Sequence, residues 1–195
     1  MNSNHPARGS KITVDPIDEK GIGNIKRLLA DKPRDFLLFT LGVNNGLRIG
    51  DILKLKVSDL KGLKVGETLK LREQKTGKVN YLMMNKATHK AFQDYVKALN
   101  PNEGEYIFKS AKGDNESLTV PTASQMVKAW CKQVGLKGNY ASHSLRKSFG
   151  TIQRKKFGVS WELLAKRFAH SSPAITQRYL GIADHEVNGI LLNEI

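Results

Sequence analysis

The chain has 195 residues, 39% of them hydrophobic. It has no apolar run near the roughly 20 residues that cross a bilayer, which excludes a helical membrane span, and its single cysteine, Cys131, excludes a disulfide framework or a cysteine-based zinc module. Lys and Arg number 32 against 18 Asp and Glu, a net charge of +14 that narrows the partners to polyanions: DNA, RNA or an anionic membrane surface.

Residues 1–17 read as a flexible lead-in with Pro6, Gly9 and Pro16; Met1 to Ser10 lack the apolar stretch of a secretory signal. From Asp18 to Ala30, the spacing of Ile22, Ile25, Leu28 and Leu29 predicts a helix. Asp31 and Pro33 read as the cap and first turn of the next, which carries Phe36, Leu37, Thr40 and Leu41 and ends at Asn44-Asn45-Gly46. A short helix follows with Ile49, Ile52, Leu53 and Leu55. Over 68–84 the period changes to two: Leu69 and Leu71, then Val79, Tyr81 and Met83, flank Lys75-Thr76-Gly77-Lys78 and predict a β-hairpin. Asn85 can cap a helix with Ala91, Phe92, Tyr95, Val96 and Leu99, stopped by Pro101. Tyr106-Ile107-Phe108 reads as a short buried run, and Pro121 opens a helix with Met126, Val127, Trp130 and Val134. Three short helices follow over about 143–156, 160–168 and 173–179, with Ser142 as a cap. The tail, 183–195, is amphipathic through Val187, Ile190 and Leu191. The fold class is mainly α with a small antiparallel β-sheet.

The charge is unevenly spread. Between Glu116 and Glu162 there is no acidic residue, while Lys128, Lys132, Lys137, Arg146, Lys147, Arg154, Lys155 and Lys156 fall there. A solvated basic face is the ordinary reading, but a surface that tracks phosphates explains a long acid-free stretch better. Aromatics are only 7%, too few for a base-stacking platform, so duplex DNA is the favoured polyanion.

Several residues could carry chemistry on a phosphate. His143 and Arg146 are three apart and share a helix face near its N-terminus, a place that holds an anion. Arg48 starts a helix between two apolar segments, and Asp51, one turn on, could pin its guanidinium or a neighbouring histidine. Lys75 sits at a hairpin tip, with Lys78 across the turn as a competitor. His170 closes one short helix and Tyr179 lies on the next. Singly, each has a plain structural reading: surface polar groups, a solvated turn lysine, a histidine favoured by the helix dipole, a half-buried core tyrosine.

The set in order resembles the tyrosine recombinase (phage integrase) family. The matching stretches are Gly46-Leu47-Arg48-Ile49-Gly50-Asp51-Ile52-Leu53-Lys54-Leu55, Gln74-Lys75-Thr76-Gly77-Lys78, His143-Ser144-Leu145-Arg146-Lys147-Ser148-Phe149, Ala169-His170-Ser171-Ser172-Pro173 and Thr176-Gln177-Arg178-Tyr179-Leu180. The resemblance covers about 18–182, which reads as one catalytic domain of the family's α+β fold. It implies that Tyr179 is the nucleophile on a DNA phosphodiester, leaving a 3′-phosphotyrosyl link and a free 5′-hydroxyl. It further implies that Arg48 and Arg146 bind the non-bridging oxygens, His143 serves as acid and base, Lys75 protonates the leaving 5′-oxygen and His170 hydrogen-bonds the phosphate. Asp51 matches an acidic position that orients its neighbours. Lys78, Lys128, Lys132, Lys147, Arg154 and Lys155 are candidate DNA contacts.

The resemblance implies no metal and no cofactor, and the sequence has neither a phosphate-binding Gly-rich loop nor a metal-ligand cluster. It implies double-stranded DNA as partner, four protomers on two duplexes, a monomer or weak oligomer off DNA, the tail docking on a neighbour or closing its own core, and a prokaryotic cytoplasmic, nucleoid-associated setting. Two departures stand out. Only about 17 residues precede the first helix, where family members often carry a DNA-clamping domain; whether this is an excised domain or a short branch, weak DNA affinity is expected. The family's frequent Leu-Gly before the second histidine is Phe168-Ala169 here. A type IB topoisomerase with a similar site, a non-catalytic basic DNA-binding module and, more distantly, a ribosome-associated protein are the alternatives.

Overall fold

The computed structural model describes residues 13–111, 113–181 and 191–194. Among them the chain forms, in order, α1 (Glu19–Leu28), α2 (Pro33–Asn45), α3 (Ile49–Leu53), α4 (Val57–Leu60), β1 (Thr68–Arg72), β2 (Val79–Met83), α5 (Lys86–Leu99), α6 (Val120–Gln133), α7 (Ser142–Phe157), α8 (Trp161–Arg167) and α9 (Pro173–Leu180). None of these helices is long and apolar enough to cross a membrane.

Local chemistry sets many of the boundaries. Asp18 accepts from the Gly21 amide at 2.7 Å and Asn85 from the Thr88 amide at 2.9 Å, so α1 and α5 start on side-chain caps. Pro33 is the first residue of α2, but the flanking residue is Lys32, which leaves Asp31 one position outside the expected cap. At α7 the cap also shifts. Ala141 is the flanking residue, Ser144 Oγ accepts from its amide at 3.1 Å, and Ser142 bonds the Ser124 hydroxyl at 2.8 Å instead.

The core is built around α2. Leu37, Leu38, Phe39 and Leu41 are fully buried, because α5 covers one flank of this helix and α7 the other. Phe39 meets Trp130 of α6 edge-on, with ring centroids 6.1 Å apart. Gly42 lets α7 approach closely: a Cβ there would lie 2.6 Å from Leu145 Cδ1. Leu164, Phe168 and Leu180 form a smaller second cluster beneath α7, α8 and α9. Residues 13–17, expected within the flexible lead-in, are fixed: the Asp15 amide donates to Asn139 O at 2.7 Å and the Ile17 amide to Ser148 Oγ of α7 at 2.7 Å. The remainder of the lead-in, 1–12, and the tail at 182–190 and 195 lie outside the described residues; Leu191 is exposed.

β1 and β2 pair antiparallel, Leu69 opposite Leu82 and Leu71 opposite Asn80. The hairpin is where it was expected, and the buried face of β2 is not the one with the apolar period. Val79, Tyr81 and Met83 point to solvent while Asn80 and Leu82 are buried. The alternation in the sequence is real; its phase is set by Asn80, whose polar side chain turns inward to partners supplied by other elements.

Candidate active site

α7 carries the centre of the site. Arg146 is 3% exposed and spans three elements: Nη1 donates to Gly46 O at 2.6 Å, Nη2 to Phe168 O at 2.7 Å, and the guanidinium lies 4.5 Å over the Phe168 ring. Burial is the main reason its pKa falls to about 10, with the Tyr179 hydroxyl opposing the fall. His143, one turn earlier, is open to solvent. Its pKa is lowered first by partial desolvation and then by the charges of Arg146, Lys75 and Arg48, which places all three cations within reach of its ring.

Arg48 flanks α3 at its N-terminus, and its partner is Glu73, an ion pair between Nη1 and Oε2. Asp51 does not take that role. It is 7% exposed and accepts the Gln74 amide at 3.0 Å, so it braces the hairpin turn beside Lys75. Burial raises its pKa first, and the Glu73 charge adds to the rise. Lys75 and Lys78 are exposed on the turn.

His170 follows the α8 C-terminus, and its Nδ1 is 2.9 Å from Thr176 Oγ1. Desolvation first, then Arg146 and Arg48, push its pKa down to about 4. Ala169, just before it, has φ 52°, the left-handed region a glycine would enter freely. Tyr179 of α9 sits edge-on to His170 and Phe168, with centroids at 5.5 and 5.7 Å. Its hydroxyl is buried and has no hydrogen-bond partner. Burial raises its pKa, while Arg146 and Arg48 pull the other way. Arg48, Arg146, His143, His170 and Tyr179 therefore come together, with Lys75 on the facing turn.

Of the candidate DNA contacts, Lys78, Lys128, Lys132 and Lys155 are exposed. Arg154 is half-buried, donating to Val159 O and lying 4.8 Å over the Trp161 ring. Lys147 is 7% exposed, with its Nζ 5.6 Å from the centre of the Tyr179 ring. Residues the sequence did not flag support the site from below. Glu73 is fully enclosed, Asn80 links it to Arg167, and Arg167 donates to the carbonyls of Asn45 and Tyr81. An acid at a strand end next to Gln74-Lys75 was the available signal for Glu73. Among the described residues, no three His, Cys, Asp or Glu side chains cluster as metal ligands would.

The phage integrase family profile matches residues 20–186. The chain is 34% identical over 164 residues to the "Probable integrase/recombinase YoeC" of Bacillus subtilis, covering 83% of this chain and 85% of that protein. It is 30% identical over 161 residues to the tyrosine recombinase XerC of Caldanaerobacter subterraneus, covering 80% of this chain but only 43% of that one. The crystal structure of XerA recombinase superimposes with a TM-score of 0.74 at 20% identity, over 94% of this chain and 67% of that one, which establishes the shared fold.

Proposed function

The chain belongs to the phage integrase family, the tyrosine recombinases, and from that premise we propose that it cuts and rejoins duplex DNA site-specifically through a covalent bond between Tyr179 and a 3′-phosphate. The observation that carries this reading is the meeting of the Tyr179 ring with His170 and with the Arg146–Arg48 pair. A phenol titrates near 10 and needs help at neutral pH. Two guanidinium groups beside its oxygen supply part of that help by favouring the phenolate.

In the reaction the Tyr179 oxygen bonds to phosphorus and the bond from phosphorus to the 5′-oxygen breaks. His143, whose pKa is lowered by partial desolvation and then by its cationic neighbours, takes the phenol proton. Lys75 gives a proton to the departing 5′-oxygen. Arg48 and Arg146 stabilise the charge that builds on the non-bridging oxygens, a role that needs groups fixed in advance. Arg146, anchored on two carbonyls, meets that requirement. His170 donates its second ring nitrogen to the phosphate. The phosphotyrosyl bond keeps the energy of the original link, so a new 5′-hydroxyl reverses the step without a nucleotide.

The partner is double-stranded DNA, reached through exposed Lys78, Lys128, Lys132 and Lys155. Exchange involves four protomers on two duplexes in a prokaryotic cytoplasm, and the chain is a monomer or weak oligomer off DNA. The curated relatives named above are recombinases, which favours this reading over a topoisomerase or a passive DNA-binding module. The test is incubation with nicked suicide duplexes drawn from the DNA around its gene, followed by a denaturing gel. A protein–DNA band that disappears in Tyr179→Phe supports the proposal. Relaxation of supercoils without site preference, or binding with no adduct on any duplex, overturns it.

A further inference from the structure

Glu73 is 1% exposed, and every contact of its carboxylate runs to a different part of the site. Oε2 pairs with Arg48 and accepts from Thr76 Oγ1 at 2.5 Å; Oε1 accepts from Asn80 Nδ2 at 2.8 Å. The backbone adds two more ties, the Glu73 amide to Lys78 O and the Gly77 amide to Glu73 O, both at 2.9 Å, so the residue also closes the turn that presents Lys75. Through Asn80 the network continues to Arg167 at 2.8 Å, and Arg167 ends α8 just before the turn that aims His170. Arg146 is buried and Arg167 half-buried, and both make their hydrogen bonds to carbonyls and one amide, not to a carboxylate. Glu73 is thus a buried anion set among guanidinium groups, with its charge felt by Arg146, Arg167, His170 and Asp51.

A buried carboxylate is costly unless it is paired and its lone pairs are filled, and here both conditions hold. A salt bridge in this setting does little for net stability, but it fixes where the guanidinium points. An arginine held on one edge by a carboxylate presents its other edge in one direction. Arg48 lies close enough to Arg146 and Tyr179 for both to feel its charge.

We infer that Glu73 is a positioning residue that holds the Arg48 guanidinium in register with Arg146 for the non-bridging phosphate oxygens, while its bond to Thr76 locks the Lys75 turn to the same anchor. This rests on the reading of Arg48 as a phosphate-binding group in strand cleavage.

The test compares wild type, Glu73→Gln and Thr76→Val as full chains on a suicide duplex. Glu73→Gln keeps the size and loses the charge. It is expected to bind duplex DNA with unchanged affinity and to form the tyrosyl adduct about 100-fold more slowly, the scale of a misplaced transition-state contact. Thr76→Val, at an exposed turn position, loses one tie and slows in the same direction by less. A duplex with sulfur at the bridging 5′ position separates the two arms, since a thiolate leaves without a proton. The Glu73→Gln deficit persists on that substrate if Arg48 is misplaced, and full recovery overturns the assignment to Arg48. The guanidinium 15N signals of Arg48, assigned with Arg48→Lys, give a readout independent of turnover. In wild type they are split by restricted rotation, and in Glu73→Gln they merge. Should wild type form no adduct, the recombinase reading fails by itself, and unchanged Arg48 signals in Glu73→Gln then overturn the positioning role. If Glu73→Gln does not fold, an unaltered adduct rate in Thr76→Val overturns the coupling to the turn.

Discussion

His170 and Thr176 are joined across the turn between α8 and α9 by a 2.9 Å hydrogen bond between Nδ1 and Oγ1. Thr176 is fully buried, so the contact fixes the imidazole against the start of the helix that carries Tyr179. In the tautomer where the threonine hydroxyl donates to Nδ1, the ring proton is on Nε2. The same surroundings resist a second proton: desolvation, and then two arginines, hold the pKa at about 4.

That shift gives a pH dependence of stability. Between pH 6.5 and 4 the unfolded chain binds a proton at His170 and the folded chain does not, so folding stability falls as pH falls through this window. His143 is shifted in the same direction and adds to the fall. His170→Gln is expected to flatten the decline by on the order of 2 kcal/mol, read as melting temperature against pH. A slope identical to wild type defeats the argument.

Tyr179 illustrates a conflict between stability and activity. Its hydroxyl is buried with no close hydrogen-bond partner and only the Arg146 and Arg48 guanidinium charges nearby, so the loss of water is incompletely offset. Tyr179→Phe removes that oxygen and keeps the ring contacts with His170 and Phe168. The variant is expected to be as stable as wild type or about 1 kcal/mol more so, and to form no adduct. Urea denaturation followed by circular dichroism checks the first part; a clear loss of stability contradicts it.

Ala169 occupies the left-handed region at φ 52° directly before His170. A non-glycine residue pays about 1–2 kcal/mol there, and glycine returns part of the gain through its freer unfolded chain. Ala169→Gly is therefore expected to raise stability by about 0.5–1 kcal/mol. The check is the urea midpoint at constant m-value, and a lower midpoint means the turn relies on the methyl group.

The parts of this fold that were legible in the sequence are those with a local cause. Asn85 caps α5 through its own side chain, and Pro33 starts α2 because its fixed φ suits a first turn. The hairpin was legible from Lys75-Thr76-Gly77-Lys78, but which face of β2 turns inward was not. Val79, Tyr81 and Met83 have the apolar period of a buried face, and Asn80 takes the inside only because Glu73 and Arg167 arrive from elsewhere to satisfy it. The same holds for the site. Arg48, His143, Arg146, His170 and Tyr179 stand out as residue types in a fixed order. Glu73 does not, since a carboxylate becomes a buried anchor only when folding delivers its guanidinium. Asp51 was the nearer acid to Arg48 in sequence, and the fold spends it on the Gln74 amide instead.

Gly46 is where the fold and the site constrain each other most tightly. It ends α2 at φ 59°, and a Cβ there would lie 2.3 Å from Phe149 Cδ1, while its carbonyl receives Arg146 Nη1 at 2.6 Å. Gly46→Ala adds left-handed strain to a clash with a packed ring, together about 2–4 kcal/mol. Relief requires the backbone or Phe149 to move, and either displaces the Arg146 anchor. Gly62 is the matched control: it has φ 88° and no atom within 4 Å of an added Cβ, so Gly62→Ala carries strain alone. The expected outcome is a larger stability loss for Gly46→Ala than for Gly62→Ala in urea. The adduct rate of folded protein is also expected to fall for Gly46→Ala and stay unchanged for Gly62→Ala. Equal effects of the two substitutions would show that backbone strain, and not the Phe149–Arg146 contact, governs this position.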